Sequence, residues 1–140
     1  MEDVNLSSLY TAMVTPFNAD RSVNYDSFAR NVNGQLNAGV DGLLFLGTTA
    51  ETPTLSSEEQ AEILRVGMEE VAANSDHPVS VMVGTGTNCT ATTIENTQKA
   101  AEMGANIALV VAPYYNKPQQ SGLYHHFATV AENGGLPVVV

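Results

Sequence analysis

One pattern constrains this chain more than any other. A strand, a turn, an amphipathic helix and a second turn recur four times, and a further strand opens at Val138. The segment Gly42-Leu43-Leu44-Phe45-Leu46 is apolar throughout instead of alternating. A strand with one face in water keeps a polar residue at every second position, whereas a strand covered on both faces need not. Flanking helices provide that double cover, and strand–helix alternation implies parallel strands joined by right-handed crossovers.

The first strand is expected over residues 9–15, ended by Pro16. A helix over 25–38 would put Phe28, Val32 and Leu36 on one face, with Gly39 just past its end. The second strand is 42–46. Ser56 followed by Glu59 has the spacing of a capping box and opens a helix to about residue 73, its buried stripe being Ile63, Leu64, Gly67, Val71 and Ala72. The third strand spans 79–83 and its helix 90–103, stopped by Gly104. The fourth strand spans 107–111. The last helix, 121–132, would turn Leu123, Phe127, Val130 and Ala131 inward before Gly134-Gly135.

Two closures suit this alternation: an open doubly wound sheet, and one half of an eight-fold barrel of typically ~250 residues. The turns favour the barrel. Successive strand ends carry small or hydroxyl-bearing groups, at Thr15-Pro16-Phe17, Gly47-Thr48-Thr49-Ala50-Glu51, Gly84-Thr85-Gly86-Thr87-Asn88 and Pro113-Tyr114-Tyr115-Asn116-Lys117-Pro118. An open sheet concentrates ligand contacts at one switch point, while a barrel gathers every strand end around one mouth. The expected architecture is therefore α/β, a (β/α)8 barrel of which residues 1–140 supply about the first four βα units and the start of strand 5, within a single domain.

Composition narrows the chemistry by exclusion. With 15 acidic and 5 basic side chains the net charge is −10, and the basic residues are scattered, so no nucleic-acid partner is expected. No apolar run reaches the ~18 residues of a membrane span. The acidic start lacks the features of a signal peptide, and a single cysteine, Cys89, fits a reducing compartment. A cytoplasmic protein is expected. His77, His125 and His126 lack carboxylate or cysteine partners at ligand spacing, so no metal is expected. Cys89 reads as a buried or rim thiol, not a nucleophile.

Thr48 and Thr49 can present two hydroxyls and turn amides to a carboxylate, or can simply cap the next helix. Glu51 either orients that turn or is a solvated acid. Gly84-Thr85-Gly86 is not a dinucleotide loop, because the third glycine would fall at Cys89; its glycines let the backbone bend closely at the mouth. Of Tyr114 and Tyr115, one ring suits rim or subunit packing, and the other can relay a proton.

Such hydroxyls suit carbonyl chemistry, which on a barrel often runs through a lysine imine. Lowering a lysine from ~10.4 to ~7–8 needs roughly 3–5 kcal/mol of differential stabilisation, hence a dry or cationic setting. Lys99 follows Glu95 by four residues, the order of an exposed ion pair, and Lys117 lies on a rim loop. Neither meets the requirement, and these are the only lysines.

Taken together, Thr11-Ala12-Met13-Val14-Thr15-Pro16-Phe17, Gly47-Thr48-Thr49-Ala50-Glu51, Gly84-Thr85-Gly86-Thr87-Asn88, the Tyr-Tyr-Asn-Lys-Pro run and Gly122-Leu123-Tyr124 resemble the N-terminal half of the dihydrodipicolinate synthase family. These pyruvate-dependent class I aldolases are relatives of N-acetylneuraminate lyase. The paired threonines and the tyrosine run are more like the synthases than like that lyase or the sugar-acid aldolases. The resemblance implies a (β/α)8 barrel that condenses pyruvate, as a lysine imine, with aspartate semialdehyde on the path to lysine. It implies no cofactor and a homo-oligomer.

By motif, Thr48 would be the relay threonine, Thr49 would hold the pyruvate carboxylate, and Tyr115 would be the relay tyrosine that enters a neighbouring subunit's site. Tyr114 would be its rim partner at that contact. The family's second relay tyrosine, imine lysine and carboxylate-binding arginine would all fall beyond Val140, so the chain alone is expected to be inactive. Ala50 replaces the family's usual glycine and is expected to restrict a tight turn. Two other readings stand beside this one: a non-catalytic, self-associating half-barrel module, and a fragment of a related sugar-acid aldolase.

Overall fold

The structure, a computed structural model, describes residues 8–140. They gather into two compact units, one reaching to Val81 and the other running from Met82 to Val140.

In the first unit β1 (Tyr10–Ala12) pairs in parallel with β2 (Gly42–Phe45), Tyr10 opposite Gly42 and Ala12 opposite Leu44. The glycine is required there: a Cβ on Gly42 would come within 2.2 Å of the Tyr10 ring. β1 is shorter than the expected 9–15. After Met13 N–H donates to Leu44 O at 2.9 Å, the chain leaves the ladder and Thr15 turns its side chain inward.

Helix α1 (Tyr25–Asn37) is capped by Asn24, whose side chain accepts from Ser27 N–H at 2.8 Å. It buries Phe28, Val32 and Leu36, as their spacing predicts, and ends at Gly39 with φ +76°. Phe28 meets Phe45 edge to face, centroids 5.6 Å apart. Helix α2 (Ser57–Asn74) has its capping box complete: Glu59 N–H donates to Ser56 Oγ, and Ser56 N–H donates to the Glu59 carboxylate. Ile63, Leu64 and Gly67 are buried, with Gly67 against the Phe45 ring.

Val71 is only half-buried and Ala72 is exposed, so the stripe stops short of its expected end. The 18 residues of α2 extend roughly 27 Å, whereas the four-residue β2 spans about 13 Å, so β2 matches only about half the length of the helix.

The strand β3 (Ser80–Gly84) enters the second unit at Met82, where it pairs in parallel with β4 (Ile107–Leu109). β4 pairs in parallel with β5 (Val138–Val139). β4 is shorter than predicted: Val110 N–H still donates to Val139 O, but Val111 is exposed.

Helix α3 (Thr90–Glu102) packs inward through Thr93, Thr97 and Ala100. Those hydroxyls are satisfied internally. Thr97 donates to the Thr93 carbonyl at 2.7 Å and is therefore left to accept from Thr85 at 2.8 Å. Helix α4 (Gln120–Asn133) buries His126 and Val130, half-buries Leu123 and Phe127, and leaves Ala131 exposed. The inward face thus passes through His126 where the apolar pattern pointed to Ala131. Gly135 (φ +81°) follows the helix end.

Candidate functional site

Between β2 and α2 the backbone is tightly wound. Leu46 (φ +55°) leads into a 3-10 turn at Thr48–Ala50, Glu51 (φ +54°) breaks it, and a second 3-10 turn follows at Thr52–Thr54. Left-handed backbone at two non-glycine residues costs of the order of 1–3 kcal/mol each, and persists only where the surroundings impose it.

Side-chain hydroxyls impose it. Thr15 donates to Ala50 O at 2.8 Å, Thr52 to Gly47 O at 3.0 Å, and Thr54 to Glu51 O at 2.8 Å. Thr48 and Thr49 take no part in this network: both are exposed, neither hydroxyl has a partner among the described residues, and the cap of α2 is supplied by Ser56. The capping alternative for these two threonines is therefore excluded. The Glu51 carboxylate is likewise exposed and unbonded, a solvated acid that does not orient the turn. Ala50 departs from expectation. Its methyl is buried without a positive φ, because the left-handed residue is Glu51, one position later.

In the second unit the loops after β3 and β4 touch. A Cβ on Gly86 would lie 2.6 Å from Val111 N, the close backbone approach its sequence suggested. Asn116 donates to Asn88 O at 2.7 Å and ties the tyrosine loop to its neighbour. Beyond that tie the loop is open: Tyr114 is 53% and Tyr115 93% exposed, and Tyr115 (φ +68°) and Lys117 (φ +47°) are left-handed. Cys89 is exposed at the start of α3 and not buried; the Thr92 hydroxyl and neighbouring amides hold its thiol below the usual range.

Lys99 and Lys117 are both exposed, and the Glu95–Lys99 ion pair does not form. Neither lysine has the desolvated setting an imine nucleophile needs. Among the described residues there is no cluster of three or more potential metal ligands, and no helix is long and apolar enough to cross a membrane. A groove of about 720 Å³ runs in the first unit between Thr11–Val14 and the α1 residues Arg30, Asn31, Gly34 and Gln35, and contains none of the candidate residues.

Sequence reasoning placed Thr15 at a strand end but missed its bond to the threonine turn, since no local spacing reveals a partner 35 positions away. It also missed the environments of two histidines. His77 lies between the Asp76 carboxylate (2.8 Å) and the Val40 carbonyl (3.0 Å), two acceptors that only the doubly protonated ring can satisfy. Its pKa is raised, chiefly by the bond to Asp76. His126 is buried, its Nδ1 2.9 Å from Thr90 Oγ1 and its Nε2 without a partner, and desolvation lowers its pKa.

Parallel strands alternating with helices, with hydroxyls on the turns that leave the strands, define a chain of the (β/α)8-barrel enzyme class, here its first four βα units and the start of strand 5. The dihydrodipicolinate synthetase family matches residues 5–140, and the chain belongs to that family. A 4-hydroxy-tetrahydrodipicolinate synthase of Bartonella bacilliformis is 43% identical over 135 residues, covering 96% of this chain and 45% of the relative.

Among solved structures, the dihydrodipicolinate synthase of Thermotoga maritima superposes with a TM-score of 0.87 at 41% identity, over 95% of this chain and 43% of that one. The chloride-inhibited enzyme of Acinetobacter baumannii, complexed with pyruvate, gives 0.87 at 36% identity over 94% and 44%. The chain thus spans less than half the length of the relatives it matches.

Proposed function

We propose that residues 1–140 form the N-terminal half of a single barrel domain of a 4-hydroxy-tetrahydrodipicolinate synthase, which condenses pyruvate, held as a lysine imine, with aspartate semialdehyde. Thr48 passes protons at the reacting centre, Thr49 donates to the pyruvate carboxylate, and Tyr115 completes the relay in the site of a neighbouring subunit, with Tyr114 packing at that contact. The enzyme works as a homo-oligomer in the cytoplasm. The imine lysine is supplied by polypeptide outside these residues.

The observation that carries this reading is the division of labour in the threonine turn. Hydroxyls at 15, 52 and 54 hold the backbone, while those at 48 and 49 are spared from structural duty. Family membership and a pyruvate-complexed structural relative support the same assignment.

The test uses pyruvate, borohydride and intact mass. The chain alone should gain no adduct, because Lys99 and Lys117 are solvated. Joined to the C-terminal half of the Bartonella relative it should be trapped stoichiometrically and turn over. Thr48→Val in that fusion should lower kcat by roughly 10²–10⁴-fold, the usual worth of a positioned proton-transfer group. An adduct on the isolated chain, or an unimpaired Thr48→Val fusion, would overturn the proposal.

A further inference from the structure

Thr15 is 6% exposed, and its hydroxyl spans from the segment after β1 to the carbonyl of Ala50, the last residue of the turn bearing Thr48 and Thr49. That turn is bracketed by two left-handed residues, Leu46 and Glu51, neither of them glycine. Its own backbone bonds are short-range: Ala50 N–H to Gly47 O at 3.0 Å and Glu51 N–H to Thr48 O at 3.1 Å. Such i→i+3 bonds have poorer geometry than those of an α-helix and do not by themselves hold a strained turn. The Thr15 bond is different in kind, since it reaches the turn from the segment that follows β1 and from the buried side. Thr52 holds the opposite end, at Gly47 O, from within the following turn.

We propose that Thr15 is a positioning residue for the synthase reaction: its buried hydroxyl fixes the Thr48–Ala50 turn against the segment that follows β1, and so sets where the two reactive hydroxyls stand. The inference rests on the functional reading of Thr48 and Thr49 given above. Thr15 touches no substrate. Its effect passes through the Ala50 carbonyl, and a misplacement of about 1 Å at a reacting group can cost a hundredfold in rate.

Two measurements test this and separate its failure from that of the functional reading. In the 140-residue chain, hydrogen exchange of the Ala50 and Glu51 amides should quicken roughly 3–10-fold in Thr15→Val, which keeps the shape and loses the bond. Thr15→Ser should restore wild-type exchange. In the fusion with the Bartonella C-terminal half, Thr15→Val should lower kcat roughly 10–100-fold, with pyruvate still trapped as the imine, and Thr15→Ser should recover most of it. A purely structural role would lower the yield of folded protein in Thr15→Val and leave kcat per folded molecule unchanged.

Unchanged exchange in Thr15→Val overturns the clamp. Quickened exchange with unchanged kcat, in a fusion that Thr48→Val disables, overturns the positioning role alone. A fusion indifferent to Thr48→Val removes the functional reading, whatever Thr15 does. Should Thr15→Val not fold, Thr52→Val offers the same comparison from the other end of the turn at a half-buried site, and a turn that neither kcat nor exchange shows to be loosened by it overturns the proposal.

Discussion

The two loops that carry the candidate chemistry solve opposite problems. The threonine turn after β2 is pinned by hydroxyl bonds to three successive stretches of its backbone, and its left-handed Leu46 is 8% exposed. Among the described residues the tyrosine loop after β4 has one side-chain tie, from Asn116 to Asn88, and its left-handed Tyr115 is 93% exposed. Both pay backbone strain at a bulky residue, but only at Leu46 does the side chain return anything to the fold. Strain tolerated at a buried leucine is offset by burial. Strain tolerated at a tyrosine standing in water has no such offset within this chain, and the exposed, left-handed Lys117 on the same loop is in the same position.

Glycine at Leu46 and at Tyr115 should have opposite effects on stability. Leu46→Gly relieves a left-handed φ but empties a buried site. Loss of a buried leucine costs about 2–5 kcal/mol when truncated to alanine, and relief of left-handed strain offsets roughly 1–2 of that. A net destabilisation of up to about 4 kcal/mol is expected in denaturant titration of the chain. A gain in stability would mean that the leucine is not anchoring the turn.

Tyr115→Gly should go the other way by a smaller amount. With almost no area to lose, relief of the φ +68° backbone should dominate over the entropy glycine adds to the unfolded chain, giving stabilisation of up to ~1 kcal/mol. The same substitution in the fusion should abolish turnover. A variant that is both less stable and still active would show that the tyrosine serves the fold and not the reaction.

How much of this was legible from the residues follows the same divide. Periodic apolar residues announced α1, and Ser56 with Glu59 announced the start of α2, because both signals act over three or four positions. The inner face of α3 was silent: Thr93 and Thr97 are polar by any scale, and are buried only because their hydroxyls find partners inside the unit, Thr97 to the Thr93 carbonyl and Thr93 to the Cys89 carbonyl. Strand ends were overestimated for a related reason. Thr15 and Val111 have strand-like composition, but the chain has left the ladder there, and at Thr15 the side chain bonds to a residue far along the sequence. Thr48, Thr49 and Tyr115 were singled out through their motifs, while the bond from Thr15 to the Ala50 carbonyl, next to the first two, could be seen only in three dimensions.

The smallest effect expected is on pH, and it too differs between the units. His77, in the first unit, has its pKa raised above the ordinary 6.5 by Asp76, with the Val40 carbonyl adding to it. Its stabilisation is therefore complete below 6.5 and fades as pH rises through the higher folded value. Asp76 is lowered below 3.8 by the same bond, so its share is present above 3.8 and lost as pH falls through the lower folded value. Both partners are thus fully engaged between 3.8 and 6.5.

His126, in the second unit, is lowered below 6.5 by burial, so it costs nothing above 6.5 and destabilises as pH falls from there. Stability should rise slightly on going from pH 8 toward 6.5 and decline below it. Because Asp76 is almost wholly exposed and its pairing with the half-buried His77 is screened, the alkaline limb should be the shallower. Thermal melts across pH 5–8 should show His77→Gln flattening the limb above 6.5 and His126→Gln flattening the limb below it. Exchange of those two assignments would mean that the acceptors around His77 do not hold its proton.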